Sequence, residues 1–406
     1  MRTASGSSST SRFDVARVRG LYQSVGSGTA SLDGPLGTLQ PESVTRAIVA
    51  TLRAAPTQPG STSFRSQRTA SSVAQTRRAF ADLVGGTPDS VVLGSAGTTL
   101  HMQFAELLQR DWKLGDQLVL SRLDADSVVT PWLRAARSTG ASVRWAEADL
   151  ETGELPTWQY EHLITPHTRL VSVPIGNPAT GTLPDVRAIA ELTHQVGALV
   201  LVDVGGAAPH VLLDMATLGA DLISVSAISF GGPTLAAMVA RPGLLLEMDD
   251  GAHPSAPQRY EFRPLPVELL DGATASVDHL AGLDEEAAGS RRERLAVSIP
   301  SAGTHTAQLW DYFEASVAEL PHVTVLGGAG QRLPMFAFTV ARRRPAQVGE
   351  FLAKRGVSVW TGPSGMTQLM TTFGVDEFGG AVFAGFMPHT TQSEVDRLLE
   401  GLAALD

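Results

Sequence analysis

The chain has 406 residues, no cysteine and a formal net charge of -10. Only two of its 31 basic residues are lysines, Lys113 and Lys354. Without cysteine there is no disulfide, no thiolate zinc site and no iron–sulfur cluster. The negative balance argues against nucleic acid or an anionic membrane as a main partner.

The N-terminus, MRTASGSSSTSR, has no apolar core of a secretory signal. We read residues 1–25 as a mobile polar arm. No apolar run approaches the roughly 20 residues of a membrane span. The expectation is a cytoplasmic protein that does not enter a membrane.

From about residue 40, helical and strand patterns alternate. PESVTRAIVATLRAA and ASSVAQTRRAFADLVGG have helical spacing, and the second ends on glycines. SVVLGS predicts a short strand that runs through a glycine turn into the helix AGTTLHMQFAELLQRD. QLVLS, SVRWAE, TRLVSVPIG, ALVLVDVGG, DLISVSA and LAAMVAR predict further strands, and helices separate several of them. Strands of this length alternating with helices predict an α/β fold with a doubly wound, mostly parallel sheet. In such sheets ligands bind beyond the carboxyl ends of the strands.

Residues 242–275 are proline-rich and irregular. They predict a link between a large domain, 26–265, and a smaller α+β domain, 266–406. The second domain should hold helices near 302–319, 345–355 and 391–404, with strands near 322–326 and 334–341.

The chain has no GxxxxGK[ST] loop, no GxGxxG after a strand, no HExxH and no GxSxG, and its ten histidines show no metal-ligand spacing. No metal site is expected. Three local signals remain. Gly97, Thr98 and Thr99 stand at a strand-to-helix turn, where free N–H groups attract an anion. Asp203 ends a buried strand, where a carboxylate pairs with a cationic or N–H group of a ligand. Ser226 ends another strand just before a Gly-Gly-Pro turn.

Taken in order, these segments resemble fold type I pyridoxal-phosphate (PLP) enzymes of aminotransferase class V, on the cysteine-desulfurase-like branch. LDGPLGT, SRLDADSVVTPW, VDVGGAAPH, SAISFGGP and TQSEVDRLLEGL carry the resemblance. It implies a homodimer, an Asp203 that holds the pyridinium nitrogen, and a phosphate cup from Gly97, Thr98, Thr99 and Ser226. Thr274 would reach the phosphate across the dimer, and the position of the asparagine that contacts the ring hydroxyl falls on Pro178, next to Asn177.

The family's catalytic positions depart from that pattern. Ser229 falls where the Schiff-base lysine stands, Ala125 where a histidine stacks on the ring, and Gly206 where a histidine or glutamine follows the aspartate. Val128 falls on an asparagine, and Phe383 on the arginine that takes the substrate carboxylate. The expectation is therefore a class V homologue that has lost the lysine and needs no cofactor. It would be repurposed for acid–base lyase, isomerase, hydrolase or cyclase chemistry on a small-molecule substrate. Candidate catalytic groups are Asp203, Asp126, Ser229, His210 and His101, and apolar Ile228, Val128 and Phe383 would suit a substrate less polar than an amino acid. Two alternatives stay open: a non-catalytic partner of an active paralogue, and an enzyme that binds PLP non-covalently.

Overall fold

The computed structural model describes residues 13–248, 257–261, 264–328 and 332–405. The chain begins with helix α1 (Val15–Arg19), strand β1 (Ala30–Ser31) and helices α2 (Glu42–Arg53) and α3 (Phe64–Val84). Strands and helices then alternate through β2 (Val91–Gly94), α4 (Gly97–Leu108), β3 (Gln117–Ser121), α5 (Asp126–Thr139), β4 (Ser142–Ala146) and α6 (Trp158–Leu163). The series continues with β5 (Thr168–Pro174), α7 (Val186–Gln195), β6 (Leu199–Asp203), α8 (Met215–Leu218), β7 (Leu222–Ser226), β8 (Ala236–Ala240) and α9 (Leu244–Glu247).

Seven of these strands form one sheet in the order β2-β8-β7-β6-β5-β3-β4. Strand β8 is antiparallel to both β2 and β7, and the remaining pairs are parallel. Two successive reversals leave β2 pointing the same way as β7, β6, β5 and β3. The carboxyl ends of all five therefore share one edge. The sheet is apolar on both faces, as crossover helices require. Val200 and Val202 join one apolar cluster, while Leu201 joins the other on the opposite face. Helix ends follow local chemistry: Ser63 caps α3 and Asp185 caps α7, and α5 stops at Gly140 with φ +76°.

The second half holds α10 (Val267–Ala281), α11 (Arg291–Val317), β9 (Val323–Val325), β10 (Met335–Val340), α12 (Pro345–Ala353) and β11 (Val357–Ser358). It ends with β12 (Trp360–Gly362), α13 (Thr367–Thr372), β13 (Ala381–Gly385) and α14 (Gln392–Ala403). Strands β12-β13-β10-β9 make an antiparallel sheet. Its core is aromatic, with Phe313, Phe336, Phe338 and Phe386 buried together.

Three expectations change here. Residues 13–25 are not part of a free arm. Phe13 stacks on His305, and Arg19 pairs with Glu394 at 2.7 Å. Residues 1–12 of that arm lie outside the described residues. Strand β1 pairs with β11, so the segment near residue 30 joins the small sheet's core instead of the large domain. Helix α10 packs on α2 and α3, which moves it from the small domain to the large one. Its first turns fall in the stretch read as irregular, because prolines upstream hid a pattern that starts at Val267. Helix α11 begins eleven residues before the expected 302. A Ser290–Glu293 capping box starts it, and Pro300 sits inside it without ending it.

Candidate active site at the carboxyl edge of the sheet

Asp203 is the last residue of β6, and its register partner on β7 is Ser224. The Ser224 hydroxyl hydrogen bonds to the Asp203 carboxylate. Burial pushes Asp203 up to about 6, against the smaller lowering effect of that hydrogen bond. The residue as a whole is half-buried at the end of its strand. Among the described residues Asp203 has no ion-pair partner.

Behind Ser224 stands His101, on the second turn of α4. Its Nε2 lies 3.0 Å from Ser224 Oγ. The indole N–H of Trp132, on α5, donates to His101 Nδ1 at 3.3 Å. His101 is 1% exposed, and burial lowers its pKa to about 4. The ring is therefore neutral at ordinary pH. The same helix presents the anion turn. Helix α4 starts at Gly97 with no side-chain cap, which leaves the N–H groups of Gly97, Thr98 and Thr99 open. A Cβ on Gly97 would lie 3.9 Å from Ser224 Oγ, so the turn and the Asp203 support are neighbours.

A second carboxylate shares the edge. Asp124 follows β3, is 1% exposed, and accepts from the Ser121 N–H at 2.9 Å and the Ser172 hydroxyl at 3.1 Å. Burial raises Asp124 to about 7, and the charge of Asp203 adds to the rise. The Asp124 charge also helps burial to raise Tyr160, whose buried hydroxyl has no hydrogen-bond partner among the described residues.

The other candidates divide. Ser226 ends β7 and Ser229 lies on the following 3-10 turn (Ala227–Phe230), both half-buried near the site. Asp126 turns away from Asp203. Its carboxylate accepts the Thr367 N–H at 3.2 Å and the Thr367 hydroxyl at 2.7 Å, clasping α5 to the small domain. Asn177 is consumed by its own loop. Its Oδ1 accepts from Ala179 N–H at 2.7 Å, and its Nδ2 donates to the Leu123 carbonyl at 2.6 Å. His210 packs on α11, with Nδ1 at 3.2 Å from the Thr306 hydroxyl. Thr274, on α10, faces α3, with its hydroxyl 3.1 Å from Thr76 Oγ1.

Two apolar candidates are removed from the substrate list. Val128 and Phe383 are each 1% exposed, in the packed core. Ile228 is half-buried and faces Gly37. Gly206 has a steric reason to be glycine, since a Cβ there would come within 2.6 Å of Met335 Sδ. Sequence reading missed Ser224, Trp132, Asp124 and Tyr160. Only Asp124 carried a usable signal, as a carboxylate directly after a predicted strand.

Residues 31–398 match the aminotransferase class V family. The chain belongs to that family. This class V member is 39% identical to an uncharacterised protein of Mycobacterium tuberculosis (strain CDC 1551 / Oshkosh), over 97% of this chain and 99% of that one. It is 28% identical to a probable cysteine desulfurase of Mycolicibacterium paratuberculosis, over 81% of this chain and 48% of that protein. Its fold matches the cysteine desulfurase CsdA of Escherichia coli with a TM-score of 0.83, at 23% identity and coverage of 97% and 98%. It also matches C-DES, as a lysine-to-alanine mutant with glycine covalently linked to the PLP cofactor. There the TM-score is 0.78, at 18% identity and coverage of 95% and 98%.

The expectation of no cofactor is overturned by these findings. A structure with this class V member's fold carries PLP, and the family points to PLP here. The residues present fit two parts of that group. The open α4 turn suits a phosphate, and Asp203, without a cationic partner among the described residues, suits a protonated ring nitrogen. Lys113 is exposed in the turn before β3, at the opposite edge of the sheet, and Lys354 is exposed at the end of α12. Among the described residues no helix is long and apolar enough to cross a membrane, and no group of acidic and histidine side chains could hold a metal.

Proposed function

We propose that this class V member binds PLP, or an amine form of it, without a covalent bond to the chain. Ser229 would occupy the place of the Schiff-base lysine. The observation that carries this reading is the placement of the only two lysines, both exposed and both away from the carboxyl edge. The C-DES mutant with one lysine replaced by alanine supports it, since that protein holds PLP covalently linked to glycine. In this chain the α4 turn and Ser226 would hold the phosphate, and Asp203 the ring nitrogen. Bound there, PLP would supply an electron sink for carbanion chemistry at an amine-bearing carbon.

The chain's own contribution is acid–base. Asp124, raised to about 7, can hold or release a proton near neutral pH. With no cysteine in the sequence, sulfur transfer through a persulfide has no carrier. The proposed reaction class is therefore a lyase or isomerase step on a small amine. A homodimer is the proposed assembly, and Thr274 would face the partner's phosphate site.

Borohydride reduction of the PLP-loaded protein, followed by peptide mass analysis, tests the reading. PLP should alter the absorption spectrum, dialyse away, and leave every peptide unmodified. A pyridoxyl-modified Lys113 or Lys354 peptide that survives dialysis would overturn it.

A further inference from the structure

We infer that His101 is a positioning residue for Asp203, acting through Ser224, and not an acid–base catalyst. The inference rests on the proposed role of Asp203 at the cofactor's ring nitrogen. Hydrogen-bond direction carries it. Trp132 has one polar hydrogen and can only donate, so His101 Nδ1 must accept. In a neutral ring the other nitrogen then bears the hydrogen, and His101 Nε2 donates to Ser224 Oγ at 3.0 Å. Ser224 is left to donate its own hydroxyl hydrogen, and the Asp203 carboxylate is there to accept it.

The chain of donors thus runs from α5 through α4 and β7 to β6. Each member is a side chain with one available direction. The outcome is a carboxylate with one lone pair already engaged and held at a fixed angle. His101 has both ring nitrogens committed, to Trp132 and to Ser224, so it offers no free nitrogen to a substrate proton. Asp203 and, at the same edge, Asp124 are the carboxylates on this side of the sheet that sense each other. Neither contacts His101. The histidine also stands one turn after Gly97, so one helix sets both the phosphate turn and the aspartate's support.

Two measurements test this. The first is the histidine nitrogen NMR spectrum of the cofactor-free protein, with His101→Gln used for assignment. His101 should show the Nε2–H form, unchanged from pH 8 to pH 5. An Nδ1–H form, or a ring that protonates in that range, would overturn the inference even if PLP binds. The second is a PLP titration. His101→Leu should weaken PLP binding about tenfold, the worth of one charge-assisted hydrogen bond. It should also move the pH midpoint of the bound cofactor's spectrum. His101→Gln has a carbonyl for Trp132 and an N–H for Ser224, so it should restore both. If Leu and Gln variants behave alike, the role is packing only and the inference fails. If the parent protein binds no PLP, the proposed function fails while the tautomer result still decides the role of His101.

Discussion

Asp203 and Asp124 stand at the carboxyl ends of β6 and β3, and the charge of one raises the pKa of the other. Burial is the larger cause of the rise of Asp124 to about 7, and Asp203 adds to it. Asp203→Asn should therefore lower the Asp124 midpoint, yet leave it above an ordinary carboxyl. Carbon NMR of labelled aspartate would follow that titration. The same variant should weaken PLP binding by about tenfold or more, because a neutral amide cannot balance a protonated ring nitrogen. An unmoved Asp124 midpoint would mean that the two carboxylates do not sense each other.

Ser229→Lys places an amine on the 3-10 turn that follows β7. If Ser229 occupies the lysine's place, the variant should form a covalent link with added PLP. The check is an absorption band that survives dialysis and a pyridoxyl-modified peptide containing residue 229 after reduction. Ser229 is half-buried and its turn is closed by Gly231 at φ +82°, so a longer side chain can be accommodated at the rim. Labelling elsewhere would displace the proposed site from this turn.

Asp126 is better described as a clasp than as a catalyst. It accepts two hydrogen bonds from Thr367, and its own N–H donates to the Gly365 carbonyl at 2.8 Å. Asp126→Ala should cost about 1–2 kcal/mol of stability, as for a lost cap. Hydrogen exchange should rise across residues 363–372. Asp126→Asn keeps an acceptor and should lose less. Equal protection in Asp126→Ala and the parent protein would show that the clasp is idle.

The contrast between Asp124 and Asp126 shows where sequence reading stops. Both fall in SRLDADS, just after a strand whose apolar run made it easy to place. Which of two carboxylates turns inward depends on partners far along the chain. Asp124 folds back on Ser121 and reaches Ser172, while Asp126 opens the first turn of α5 and meets Thr367, 241 residues later. His101 and Ser224 are 123 residues apart, so their contact left no local trace. Asp203 was visible because it ends a buried strand, and the α4 turn because glycine and threonine stand between a strand and a helix. Helix α10 was hidden by the prolines before it, and its true partners, α2 and α3, lie more than 180 residues earlier.

Four buried histidines set the acid limit of the fold. Burial lowers His101 and His279 to about 4, and His210 and His389 to about 3, against an ordinary value of 6.5. Above pH 6.5 they are neutral in both folded and unfolded chains and contribute no pH dependence. As pH falls below 6.5 the unfolded chain binds protons that the folded chain refuses, and stability drops. Asp124 and Asp203 act the other way. Their folded pKa values of about 7 and about 6 exceed the ordinary 3.8, so acidification favours the folded state until roughly that value. Two of the four histidine protons are thereby offset. The remainder predicts a loss of about 3 kcal/mol per pH unit between about pH 6 and pH 4. Urea unfolding at pH 7, 6 and 5 measures it. His389 sharpens the test, because neither buried ring nitrogen has a hydrogen-bond partner among the described residues. His389→Phe removes one of the four protons without breaking a side-chain hydrogen bond among the described residues, so the slope should shrink by about half. A slope that is flat in the parent protein, or the same in the variant, would show that these histidines accept protons without unfolding.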